Sequence, residues 1–145
     1  MVLYFTGRSR SSAQIIDEQR KNTSSGNKTA IEAMHKIKQS AVDLKTALLQ
    51  GDFDTFARIF GEAWEEKKKM AAAITNTEIQ KVFDVAFSAG AIAGKVSGAG
   101  GGGFIIFMVN PSRKCHLMKA LGQLDGKVMN FQFSEGGTHG WKLFD

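Results

Sequence analysis

The sequence is poor in the residues that staple, divide or anchor a chain. Its one cysteine, Cys115, excludes an internal disulfide framework and suits a reducing compartment, so a cytoplasmic setting is expected. Its one proline, Pro111, leaves no Pro-rich linker, no Gly-rich stretch reads as a linker either, and no internal repeat occurs. A single domain over residues 1–145 is therefore expected. Apolar runs are too short to span a bilayer, and the opening Met1–Gly7 has neither a basic leader nor a cleavage pattern, so no membrane partner is expected. His35, His116 and His139 stand far apart, without the spacing of zinc ligands, so no metal site is expected either.

What is present fits a globular protein. The hydrophobic share is 43% and there are eleven phenylalanines, enough to build a core. A net charge of +5 raises the question of nucleic acid. The charge is spread along the chain, and its densest run, Lys67-Lys68-Lys69, directly follows Glu65-Glu66. That pattern reads as a solvated helix surface, and no nucleic-acid partner is expected. A modest basic excess equally suits a protein that handles phosphorylated small molecules.

Val2–Phe5 reads as a first strand, buried on both faces, ending at Thr6-Gly7. Hydroxyl residues at Ser9, Ser11 and Ser12 offer caps for a helix over about 13–20, and residues 22–27 read as a loop. From Lys28 the pattern is helical, with Met34, Ile37, Ala41, Leu44 and Leu48 as the expected core stripe. Gln50-Gly51-Asp52 predicts a tight turn into a second helix, whose stripe is Phe53, Phe56, Phe60 and Trp64. A third helix starts near Asn76 and carries Ile79, Val82, Phe83, Ala86 and Phe87. Residues 91–97 and 104–109 read as strands, and Asn110-Pro111-Ser112 as a strand stop and N-cap. A helix with Leu117, Met118, Leu121 and Leu124 follows, then a strand over 128–133, a loop and a short tail at 141–143. Four strands and about five helices give an α+β layout, with the helices expected against one face of a small sheet.

The centre of this layout is Gly98-Ala99-Gly100-Gly101-Gly102-Gly103, which leads into the buried strand at Phe104. Glycines sacrifice backbone entropy, up to about 1 kcal/mol each in regular structure, for access to positive φ and close backbone approach. Formally Gly98-x-Gly100-x-x-Gly103 matches the dinucleotide fingerprint, but that motif needs a strand before it and a helix after it. Here a strand follows. The phosphate-loop motif fails on spacing, since three residues separate Gly90 from Gly94 and Val96 follows Lys95. What remains is a backbone nest for an anion, flanked by Lys95 and the Ser97 hydroxyl, or else a tight backbone crossing that merely needs small residues. Five glycines in six positions beside Lys95 and Ser97 favour the ligand-facing role.

The stretch Gly90–Gly103 resembles, in register, the third signature motif of the GHMP kinases, the relatives of galactokinase, homoserine kinase and mevalonate kinase. Tyr4–Ser12 is similar to the strand and turn that open the C-terminal half of fucose kinases and D-glycero-D-manno-heptose phosphate kinases. Ala93 before Gly94-Lys95, with Phe104 after the glycines, resembles the heptose branch. The resemblance covers essentially the whole chain but only the C-terminal half of the family pattern. The family's second motif, a Pro-x-x-x-Gly-Leu loop before serines, has no counterpart, nor has its catalytic aspartate.

The resemblance implies a small antiparallel four-stranded sheet covered by helices, ferredoxin-like elements with a helical hairpin added. It implies a sugar or sugar-phosphate kinase in which ATP and Mg2+ are held mainly by an N-terminal half, with no catalytic residue and no metal ligand in this chain. The chain alone is then expected to be inactive. Ser97, Gly98, Ala99, Gly100 and Gly101 would make backbone contacts near substrate and the transferring phosphate, and Lys95 would hold local negative charge. Thr6, Gly7 and Arg10, with Arg8 second to Arg10, would face a phosphate already on the sugar. A face left open by a missing half could drive homodimerisation. Two other classes stay open: a non-catalytic metabolite-binding module, and a nucleic-acid binder whose affinity would fall steeply with salt.

Overall fold

The computed structural model describes residues 1–8 and 12–141. Arg10, the candidate caps Ser9 and Ser11, and the tail beyond Trp141 lie outside the described residues.

The elements run β1 (Val2–Phe5), α1 (Ser12–Ser24), α2 (Lys28–Gln50), α3 (Phe53–Lys68), a 3-10 turn (Ala72–Ile74), α4 (Thr77–Ser88), β2 (Ala91–Val96), β3 (Phe104–Val109), α5 (Lys114–Leu121) and β4 (Lys127–Met129). The strands form one antiparallel sheet in the order β2-β3-β1-β4. Within it Phe5 lies opposite Phe104, Gly94 opposite Phe107, and Lys95 opposite Ile106.

Helices cover both faces of this sheet, not one. β3 is apolar on both sides, so each side needs cover. Tyr4, Ile105 and Phe107 pack with Ile79, Val82 and Phe83 of α4 and with Leu117 and Leu121 of α5. On the reverse face, Ala93 and Met108 pack against Ala57 and Phe60 of α3. Gly61 of α3 faces the Ala93 methyl there, and a Cβ on it would make an ordinary contact at 3.6 Å. Gly94 is needed for a different contact, since a Cβ would fall 2.6 Å from a Phe107 ring carbon. β1 is buried on one side only: Val2 and Tyr4 are buried, Leu3 and Phe5 half-buried.

Caps set the hairpin. Asn27 Oδ1 accepts from the Ala30 N–H at 3.1 Å, α2 ends at a left-handed Gly51, and Asp52 Oδ1 accepts from the Thr55 N–H at 3.0 Å. The buried residues of α2 are alanines, Ala30, Ala33 and Ala47, which allow close helix approach. Met34 and Leu48, expected in the core, are 40% and 54% exposed, and Phe53 of the second stripe is 62% exposed. Large apolar side chains at the ends of a two-helix hairpin outrun the partner that would cover them. Phe60 and Trp64 are buried as expected.

Three boundaries moved. α1 runs on to Ser24, into the expected loop, where Asn22 donates to the Met70 carbonyl and the Thr23 and Ser24 hydroxyls bond back to carbonyls of the preceding turn. Asn110 caps a 3-10 turn at Pro111–Arg113, which feeds α5, and Leu124 falls beyond that helix. β4 stops at Met129, opposite Leu3, short of the expected end at Phe133. Phe131 and Phe133 instead pack edge to face on each other, at 5.5 Å.

Candidate functional site

The glycine loop joins β2 to β3 and is held by three other segments. Glu18 and Asn22 of α1 reach the segment before α4: Glu18 accepts from the N–H groups of Ala72 and Ala73, and Asn22 donates to the Met70 carbonyl at 2.8 Å. That segment in turn fixes the loop, because the Gly101 N–H donates to the Ile74 carbonyl at 2.8 Å. Asn76 caps α4 through Oδ1 and donates Nδ2 to the Gly101 carbonyl at 3.3 Å. On the far side the Thr6 N–H donates to the Gly103 carbonyl, and the Gly103 N–H donates to the Arg8 carbonyl and the Thr6 hydroxyl.

Backbone accounting divides the loop into two arms. In the second arm the N–H groups of Gly101 and Gly103 are used within the protein. Gly102 is there for a backbone crossing: a Cβ would lie 3.0 Å from the Arg8 carbonyl oxygen. Gly100, with φ of +115°, closes the crossing from the other side, because a Cβ would fall 2.8 Å from the Ile74 carbonyl oxygen. In the first arm the N–H groups of Gly98, Ala99 and Gly100 have no protein partner among the described residues. The tight crossing and the open nest therefore both occur, on successive halves of one loop.

Two lysines meet the first arm. Lys95, on β2, extends over the Phe60 ring with Nζ 5.6 Å from its centroid. Lys67, in the last turn of α3, donates to the Gly98 carbonyl. Burial, and after it the like charge of Lys95, lowers the pKa of the Lys67 ammonium below its ordinary value. Among the described residues neither lysine has a carboxylate within ion-pairing distance. Their neighbours in sequence do: Lys68 pairs with Glu65 at 2.7 Å and Lys69 with Glu66 at 2.8 Å.

Lys67 corrects the expectation that the whole lysine run is a solvated surface. Its signal was in the spacing. Phe60, Trp64 and Lys67 stand four and three apart, so Lys67 ends the stripe that buries Phe60 and Trp64. Lys68, four residues after Trp64, borders the same stripe but pairs with Glu65, and Lys69 falls off it.

Beyond the second arm lies a cleft of about 260 Å³, lined by Thr6, Arg8, Asn76, Glu78, Gly101 and Gly126 among others. Arg8 is exposed and its guanidinium pairs with Glu78 at 2.6 Å. Thr6 ties the opening turn to the loop, and Gly7 makes that turn with φ of +75°. Ser97 is exposed at the start of the loop, its N–H donating to the Phe104 carbonyl at 2.8 Å. Among the expected site residues, Lys95, Ser97, Gly98, Ala99 and Gly100 thus gather at one arm, while Thr6 and Gly7 flank the other with Gly101.

Among the described residues no group of three His, Cys, Asp or Glu side chains could hold a metal ion, and no helix is long and apolar enough to cross a membrane.

The family description "GHMP kinases C terminal" matches residues 44–122. The D-glycero-alpha-D-manno-heptose 7-phosphate kinase of Campylobacter jejuni is 41% identical over 142 residues, 98% of this chain but 41% of that enzyme. The chain therefore spans well under half the length of this relative. A Campylobacter jejuni protein solved as a candidate sugar kinase superimposes with a TM-score of 0.64 at 39% identity, over 94% of this chain and 37% of its own. A Listeria innocua protein, Lin0012, shares the fold with a TM-score of 0.78 at 21% identity, over 93% of this chain and 41% of its own.

Proposed function

Because the chain belongs to the GHMP kinases, as their C-terminal domain, we propose that it forms the acceptor side of a kinase active site. The reaction transfers the γ-phosphoryl group of ATP to a hydroxyl of a sugar phosphate, with a heptose phosphate as acceptor. The likeness to the heptose 7-phosphate kinase supports that acceptor class. ATP and Mg2+ then sit mainly on the portion of the enzyme that this chain does not span. By itself the chain is inactive.

Phosphoryl transfer asks a protein mainly for positioning and for charge stabilisation around the moving phosphoryl group. The first arm of the glycine loop is suited to both tasks. Its N–H groups at Gly98, Ala99 and Gly100 have no partner among the described residues and can donate to phosphate or hydroxyl oxygens, and the ties of Gly101 and Gly103 to Ile74, Arg8 and Thr6 anchor the arm that follows. Lys95 adds positive charge from the sheet, and the Ser97 hydroxyl stands exposed beside it. The cleft at Gly101–Gly102, bordered by Arg8, would take the rest of the sugar phosphate, with Arg8 exchanging its Glu78 partner for the phosphate. Arg10 is proposed to assist there. The observation that carries this proposal is a first arm and an adjoining Lys95 that both lack partners among the described residues.

The test is a chimera in which this chain replaces the stretch it matches in the Campylobacter jejuni kinase. Turnover of ATP with heptose 7-phosphate is expected within about tenfold of the parent, a barrier change of about 1.4 kcal/mol or less. A chimera that folds and binds ATP, and phosphorylates some other acceptor but no heptose phosphate, would overturn the proposed acceptor.

A further inference from the structure

We infer that Lys67 and Lys95 together form a seat for a phosphate dianion at the Gly98 arm of the loop. Lys67 is the new member of the site, because it lies outside the glycine motif and comes from the helical hairpin.

Four observations converge. Lys67 stands on the stripe of Phe60 and Trp64 and reaches the Gly98 carbonyl of the loop, whereas Lys68 and Lys69 pair with Glu65 and Glu66. It has three donors, and its one protein acceptor among the described residues is the Gly98 carbonyl. Lys95 rises from the sheet beside it, its Nζ 5.6 Å from the Phe60 ring centroid, and its charge adds to the burial that lowers the Lys67 pKa. Next to them the N–H groups of Gly98, Ala99 and Gly100 have no partner among the described residues.

The last turn of a helix favours a cation, which accounts for a lysine near this position. It does not account for a half-buried lysine beside a second lysine, with no carboxylate of the described residues within ion-pairing distance of either. A dianion resolves that arrangement: it relieves the repulsion, takes the spare donors of both ammonium groups and fills the backbone nest. The Gly98 carbonyl holds Lys67 in position until the anion arrives. The identity of the anion rests on the kinase proposal, which offers two sources: the phosphate already on the sugar, or the γ-phosphoryl group of ATP. The seat itself does not rest on it.

Binding of inorganic phosphate to the 145-residue chain tests the seat, followed by backbone-amide NMR at low salt. The amides of Gly98, Ala99 and Gly100 are expected to shift. Lys67→Met and Lys95→Met should each weaken binding by about tenfold or more, the range for losing one charge-assisted hydrogen bond. Lys68→Met should leave it unchanged, and Lys67→Met should melt within a few degrees of the parent. Amides that do not respond to phosphate, or full affinity in Lys67→Met, would overturn the proposal. If Lys67→Met does not fold, Lys67→Gln keeps a donor for the Gly98 carbonyl without the charge, and full affinity in that variant overturns it equally. Repeating the titration with heptose 7-phosphate and with Mg-ATP separates the two sources, since the one whose binding needs Lys67 is the occupant. Should neither molecule bind while inorganic phosphate still requires Lys67, the kinase proposal fails and the seat stands.

Discussion

Gly100→Val is expected to destabilise the domain severely, by more than the roughly 1–3 kcal/mol that a non-glycine residue pays for such a backbone conformation. The excess comes from contact. A Cβ at Gly100 would lie 2.8 Å from the Ile74 carbonyl oxygen and 2.9 Å from its Cα, and neither is a side chain that can swing away. Relief requires the loop to lift from the Ala72–Ile74 turn, which breaks the Gly101 N–H to Ile74 bond and loosens the Asn76 contact with Gly101. Gly98→Ala is the control. Its φ of +82° is strained for alanine, but nothing lies within 4 Å of the added methyl, so only the conformational cost applies. Urea unfolding of both variants measures the difference. Equal midpoints would show that the loop does not rest on Ile74. The consequence for function is direct: loss of activity in Gly100→Val reports on the fold, and the first arm must be probed through Ser97, Lys95 and Lys67.

Trp64→Ala should cost about 3–5 kcal/mol, a large fraction of the stability of a domain this size. The indole is buried, stacks on Phe83 at 5.6 Å with the rings 8° from parallel, and Phe83 in turn meets Phe107 edge to face at 5.3 Å. This aromatic run joins α3, α4 and β3, so one truncation loosens the hairpin, a covering helix and the central strand together. Phe53, on the same helix but 62% exposed, provides the contrast. Phe53→Ser should shift stability by no more than about 0.5 kcal/mol, as for ordinary surface positions. Thermal unfolding of the pair decides the matter; similar losses in both would contradict the placement of α3.

The elements were legible because their signals are local. Gly51 before Asp52, Asn76 before Ile79, and the unbroken Phe104–Val109 run each mark a boundary or a buried strand within a few residues. Burial was less legible. Spacing put Met34, Leu48 and Phe53 on apolar stripes, but it cannot say where a partner helix ends, and those three lie partly or largely in solvent. The reverse face of the sheet was missed for a similar reason: nothing local in Ala93 or Met108 says which helix will lie on them. The glycine loop was recognised as a unit, yet its division into a crossing arm and an open arm depends on Ile74 and Arg8, distant residues whose carbonyls take the Gly101 and Gly103 N–H groups. Lys67 was hidden by its neighbours, since a run of three lysines after two glutamates looks uniform until each is placed on the helix face it occupies.

The proposed function makes the chain the side of the active site that receives the sugar phosphate, with the nucleotide held elsewhere. Calorimetric titration of the 145-residue chain with heptose 7-phosphate, with the unphosphorylated heptose and with ATP tests that claim most directly. Heptose 7-phosphate is expected to bind, removal of its phosphate to weaken binding by about tenfold or more, and ATP to bind less tightly than the sugar phosphate. Tight binding of ATP with none of heptose 7-phosphate would contradict the assignment.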